Sequence, residues 1–191
     1  MTPTSPLTTA RPSDLATGTW EIDQGHSDVG FVARHLFSRV RGRFSQFSGV
    51  INVTDDPADS SVEVTIEAAS IDTNHPERDE HLRDEGFLDV EQFPALTFRS
   101  TSVGSVGENG HGRMQGLLTI REITRPVVLD VEYLGAGTDP WGGVRAGFSA
   151  RTEIDRDDFG ANWNVVLETG GILIGKKVQI ELEIEAIRRA E

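Results

Sequence analysis

Side chains able to do acid–base or metal chemistry are thinly spread along this chain. The histidines are His26, His35, His75, His81 and His111. None belongs to an HExxH pair, and no two have the spacing of a zinc motif. Cysteine is absent, which removes disulfides and thiolate metal sites together. His75, Asp79, Glu80 and His81 lie close together and could in principle hold a metal. The ordinary reading of such a stretch is the solvated face of a short helix. There is no GxSxG elbow and no P-loop. The glycine-rich pieces GAGTDPWGG and ETGG lack the flanks of a phosphate cradle. Carboxylates are abundant, but their spacing singles out no acid–base pair. Nothing here supports an enzyme. Arg34, Arg39, Arg41 and Arg43 form the one local basic cluster. It reads either as an outward ladder balancing acidic neighbours or as a collar for an anionic head group.

The whole-chain balance narrows the partners. Thirty-one acidic residues against 18 basic ones give a net charge of -13. That argues against nucleic acid, which needs a basic face, and against broad docking on anionic membranes. A chain of 191 residues fits one domain with a sizeable core. Residues 1–17 are rich in Thr, Pro and Ser without periodicity, and are expected to form a disordered tail ahead of a domain over 18–191. The start of the chain has no apolar signal-peptide core, and no run of about 18 apolar residues occurs. The expectation is a cytoplasmic protein with no integral membrane segment.

Most of the chain alternates. In VQIELEIEAI (178–187), Val178, Ile180, Leu182, Ile184 and Ala186 share one side and the glutamates the other. A period of two is the period of a strand with one wet face and one dry face. TWEID, HSDVGFVARH, VRGRF, FSGVINV, SVEVTIEAAS, ALTFRSTSV, GRMQGLLTI, RPVVLDVEYL and GVRAGFSARTEI read the same way. The inward parity switches between Phe44 and Phe47, which predicts a bulge there. Residues 76–88 suit a short helix with Pro76 in its first turn. A long irregular connection over roughly 155–175 precedes the last strand. About eight long strands joined by short turns predict an all-β, antiparallel sandwich or barrel.

The expected inner face carries Phe31, Phe44, Ile66, Phe98, Leu118, Leu129, Phe148 and Ile180. Small residues stand among them: Ala33, Gly42, Gly49, Gly116 and Ala150 among others. Two readings are open. Small and large residues can interlock as a solid, tapered core, or the small ones can leave room for a ligand. His35, Ser27 and Ser70 fall on the same side, either bonding backbone at strand ends or marking one end of a pocket.

WEIDQGHSDVGFVARH (20–35), VRGRFSQFSG (40–49) and above all SIDTNHPERDEHLRDEGFLDVEQFPALTFRST (70–101) resemble the YceI-like, polyisoprenoid-binding family. LTIREITRPVVLDV, ARTEIDRDDFG and the closing strand follow in the family's order. The resemblance covers about residues 19–188. It implies an extended, lipocalin-like, eight-stranded antiparallel barrel that holds a long apolar molecule. A polyisoprenoid or isoprenoid quinone is the implied ligand class, a fatty acid or its amide the alternative, and no other cofactor is implied. Under it the inner residues named above, with Ala33 and His35, become channel lining. Phe87 then sits by the mouth, and the loop bearing Phe159 and Trp163 covers part of the channel. The implied role is non-catalytic binding, storage or transport. An enzyme acting on a lipid inside the barrel is the rival of another class, and a solidly packed structural barrel a third. A homodimer is compatible with such a barrel. Two positions depart from the family pattern: Glu122 stands where glycine is common in a turn, and Lys176 and Lys177 where acidic residues are common.

Overall fold

The alternating segments build eleven strands among the described residues, 12–168 and 172–190 of a computed structural model. They are β1 (Gly18–Ile22), β2 (Asp28–His35), β3 (Ser38–Phe44), β4 (Phe47–Val53), β5 (Ser61–Glu67), β6 (Ile71–Asp72), β7 (Ala95–Val103), β8 (His111–Ile120), β9 (Ile123–Thr138), β10 (Val144–Asp155) and β11 (Ile174–Arg188). One helix, α1 (Pro76–Arg83), lies between β6 and β7. It is shorter than the stretch 76–88 suggested, because Asp84 ends it and the chain then turns repeatedly up to Phe93.

The eleven strands make eight staves. β1 and β2 run end to end along β11, pairing its residues 186–188 and 174–183 respectively. β3 and β4 form the next stave, and β5 and β6 the third. β7 to β11 follow in order, and the β1–β11 pairing closes the ring. Every pairing is antiparallel, so closure leaves the central ladder without a free edge. The corner between Phe44 and Phe47 lies where the parity switch placed it. There Ser45 N–H donates to Ser70 O at 3.1 Å, and Gln46 N–H to Ser70 Oγ at 3.1 Å. The final strand starts four residues before the alternation does, since Gly175-Lys176-Lys177 breaks the period at an irregularity in the ladder.

The two ends of the barrel differ. At one, called here the terminal end, β1 begins and β11 finishes. The tail expected over residues 1–17 needs correction at this end. Residues 1–11 lie outside the described residues, but 12–17 are packed against the barrel. Leu15 is buried beside Trp20, Val53 and Ala146. Trp20 Nε1 donates to Ala16 O at 3.1 Å, and Arg188 donates twice to Thr17 O. One leucine in a Pro/Thr/Ser run carries no periodicity, but burying it fixes the segment. At the opposite, helix end lie α1, the β2–β3 hairpin, the β8–β9 turn and the connection after β10. The β8–β9 turn absorbs Glu122 by placing the positive φ on Arg121 instead, at 58°. Lys176 and Lys177 pair with Asp157 and Asp155.

Candidate functional site

The buried residues form three clusters around the wall rather than one central plug. Between them runs a cavity of about 490 Å³, within the roughly 300–1,000 Å³ of ordinary small-molecule sites. Its wall is almost wholly aliphatic and aromatic. The residues expected as channel lining all border it. Phe31, Ala33, Phe44 and Ile66 come from the first three staves, and Phe98, Leu118 and Leu129 from β7 to β9. Phe148 and Ile180 contribute from β10 and β11. His35, Phe87, Phe159 and Trp163 border it at the helix end.

The small residues divide in a way that spacing did not reveal. An added Cβ on Gly42 would meet the Phe31 ring at 2.3 Å, and one on Gly116 would meet the Phe98 ring at 2.3 Å. Gly49 is covered by Ile22 and Val64. These glycines therefore serve interlocked packing, with a ring against bare backbone at Gly42 and Gly116 and aliphatic side chains at Gly49. Ala33 and Ala150 do border the cavity. Both readings of the small residues hold, each at different positions.

The polar candidates separate too. Ser27 exchanges hydrogen bonds with the backbone of Glu185, and Ser70 with that of Gln46 and Glu67. Both are strand-end anchors outside the cavity wall. His35 alone of the three reaches it. Arg41 and Arg43 point outward to Glu181 and Asp72, so they form no collar around a lumen head group.

The helix end is closed by two docked pieces. α1 is strapped by a buried carboxylate: Thr73 N–H and Oγ1–H donate to Asp79 Oδ1 at 2.8 and 2.5 Å. Arg78 Nε donates to Thr73 Oγ1 at 2.7 Å, and Arg83 donates to Ala69 O and Ile71 O. His75 and Asp79 are thereby spent on capping and strapping the helix, which answers their candidacy as metal ligands. Asp79→Ala should lower stability by about 1–3 kcal/mol, because it leaves two buried donors unpaired. Urea denaturation measures it, and an unchanged midpoint would show that the strap does not hold α1.

The second piece is the connection after β10. Trp163 stacks edge-on to His81, with centroids 4.4 Å apart, and tilted on Phe87 at 5.5 Å. Phe159 is buried beside Leu118 and Ile154. Sequence reasoning passed over the residue that holds this connection. Arg156, 6% exposed, donates to the carbonyls of Ala161, Trp163, Ile174 and Gly175. Burial pushes its pKa down, and nearby Asp157 and Asp155 offset part of that; a guanidinium stays charged regardless. Arg121 adds a bond to Gly160 O at 2.8 Å.

Elsewhere, Asp23, His26 and Glu185 bring three donor groups together on the outside of the barrel. Arg145 bonds two of them, Asp23 and Glu185, together with Asp139, and His26 Nδ1 meets Asp23 Oδ2 at 2.8 Å. The guanidinium holds the Asp23 and Asp139 carboxyls below the usual carboxylate range. This is a cross-link between the β1–β2 corner and the β9–β10 turn. Its groups already have partners.

No helix among the described residues is long and apolar enough to cross a membrane. The YceI-like domain family matches residues 20–186. A UPF0312 protein of Vibrio cholerae is 38% identical over 168 residues, covering 86% of this chain and 83% of that protein. A Campylobacter jejuni YCEI protein of known structure is 30% identical with a TM-score of 0.68, covering 82% of this chain and 90% of that one. A polyisoprenoid-binding domain from Saccharophagus degradans, implicated in plant cell wall breakdown, shares the fold at a TM-score of 0.66. It is 16% identical and covers 91% of this chain and all of that domain. The matched length, the identity to these relatives and the closed eight-stave barrel agree: the chain belongs to the YceI-like family.

Proposed function

We propose that this protein binds and carries a long apolar lipid, a polyisoprenoid or isoprenoid quinone, in the barrel without chemical change to it. The observation that carries the reading is the cavity's wall. It extends from Leu15 at the terminal end to Trp163 at the helix end with scarcely a polar group. Each buried methylene contributes ~0.8 kcal/mol, so a few isoprene units suffice for affinity without any charged contact. The fold shared with a polyisoprenoid-binding domain supports the ligand class.

The polar groups at the helix end favour a neutral head. Arg78 and Arg156 border the cavity with their guanidinium groups committed to Thr73 and to backbone carbonyls, while Arg34, which borders it without a carboxylate partner among the described residues, stands on the outward parity of β2 between the inward Ala33 and His35. His35 and His81 border it with no side-chain hydrogen bond among the described residues. Imidazoles suit a hydroxyl or quinone oxygen better than a pyrophosphate, whose charge calls for uncommitted arginines.

Gentle purification, solvent extraction and mass spectrometry test the proposal. A stoichiometric polyprenyl species is the expected result. A fatty acid or amide in its place would move the assignment to that class, and repeated lipid-free preparations that also refuse added isoprenoid would end it. Phe148→Glu places a carboxylate in the apolar wall, where an unpaired charge is strongly unfavourable. Uptake should fall at least about tenfold, the equivalent of about 1.4 kcal/mol. Normal uptake by the folded variant would remove Phe148 from the binding surface.

A further inference from the structure

The β2–β3 hairpin turns on two residues, Leu36 and Phe37, between the paired His35 and Ser38. Such turns favour Asn-Gly and glycine pairs because the chain must take positive φ. Here Leu36 takes φ 49° and Phe37 is 96% exposed. Phe37 stands in water and Leu36 is partly exposed on a strained turn, and a local rule broken for so little packing gain points to a use outside the fold.

The neighbouring connection has the same character. Leu36 N–H donates to Leu173 O at 2.9 Å, and Leu173 N–H donates to Val165 O at 3.0 Å. Val166 bridges to Ile172, and Val165, Val166 and Ile172 are all exposed. Among the described residues, Leu36, Phe37, Val165, Val166 and Ile172 thus form one apolar tip. Just behind it, Arg34 and Arg39 face each other in register, and neither has a carboxylate partner among the described residues. Like charges directly opposite on a ladder repel, and an anionic surface would relieve that. The patch is continuous with the cavity, since Arg34, His35 and Leu173 border it.

We propose that this tip docks on an anionic lipid bilayer, with Leu36, Phe37, Val166 and Ile172 entering the acyl region and Arg34 and Arg39 meeting phosphates. The apolar ligand then passes between bilayer and barrel without crossing water. The net charge of -13 does not oppose this. Screening over about 8 Å at physiological salt leaves the tip to its own charges, and the acidic remainder of the barrel is repelled, which orients docking tip-first. Glu168 is the exposed carboxylate on the second loop. The transfer role rests on the proposed carrier function; the docking geometry does not.

Vesicle flotation tests it. The native chain should float with mixed phosphatidylcholine–phosphatidylglycerol vesicles at physiological salt and release in high salt or on pure phosphatidylcholine. Phe37→Ser and Arg39→Glu, both away from the cavity wall, should each weaken flotation roughly tenfold and leave uptake of a detergent-dispersed polyprenol unchanged. Native protein that takes up polyprenol but ignores the mixed vesicles overturns docking and leaves the carrier function standing. Flotation without polyprenol uptake supports docking and overturns the carrier function. Flotation equal in the variants and the native chain overturns the tip assignment. A dimer abolished by Phe37→Ser, without flotation, overturns it in favour of self-association.

Discussion

Ala150→Trp should abolish uptake of a long isoprenoid while leaving the barrel folded. Ala150 lies midway along β10, paired with Val131 on one side and Leu182 on the other, and its methyl borders the cavity. An indole at that position projects into the lumen instead of into packed neighbours. The usual penalty for overpacking, about 1–3 kcal/mol, should therefore be largely avoided. The ligand bears the loss instead. Excluding even five methylenes from the lumen removes about 4 kcal/mol, close to a thousandfold in affinity.

Chain length makes this test specific. A ligand short enough to occupy only the half of the cavity between Ala150 and the helix end should still bind, and affinity should stop rising with length where the indole stands. Val128→Trp is the control. Val128 lies on β9 with its side chain exposed on the outer face, so uptake should be unaffected. Titration with a graded series of polyprenols measures both variants. Long-chain affinity unaltered by Ala150→Trp would place the ligand somewhere other than the lumen.

What could be read from the residues was whatever has a period. Val178, Ile180, Leu182 and Ile184 alternate with Gln179 and the glutamates, and all four border the cavity. Phe44 and Phe47 break parity by one residue, and the wall bends between them. What could not be read depends on contacts between residues far apart in the chain. Gly42 and Gly116 are inward in either case, and only the position of a ring from the neighbouring strand decides whether the space above them is filled. Leu15 has only Ala16 beside it as an apolar neighbour in sequence, too little to mark it as packed. The exposed tip was hidden for another reason: Leu36 and Phe37 fall between the strands HSDVGFVARH and VRGRF, and only the hairpin geometry decides that they turn outward.

Arg156 is the sharpest case, and it carries the second large effect. In RDDF it resembles a charged surface turn, because the groups it serves are backbone carbonyls with no sequence signature. Arg156→Met keeps the length of the stem and removes every donor. Four carbonyls, one buried and three part-buried, then lose their shared partner, at roughly 3 kcal/mol, which for a domain of this size is a drop of roughly 6–12 °C in Tm. Arg156→Lys keeps the charge, but one ammonium cannot reproduce a planar fork that meets Ala161, Trp163, Ile174 and Gly175 together, so it should recover only part of the loss. The functional consequence follows from what those carbonyls hold. The connection they belong to carries Phe159 and Trp163 onto the helix end, and freeing it opens the barrel where Trp163 now rests on His81 and Phe87. Ligand dissociation from Arg156→Met should therefore accelerate more than association slows, because opening the end removes the barrier to exit without adding a contact for entry. Stopped-flow release of a fluorescent isoprenoid, run beside thermal denaturation, measures the two effects together. An unaltered Tm would show that the carbonyls find other partners. A lowered Tm with unaltered release would show that the ligand leaves by another route.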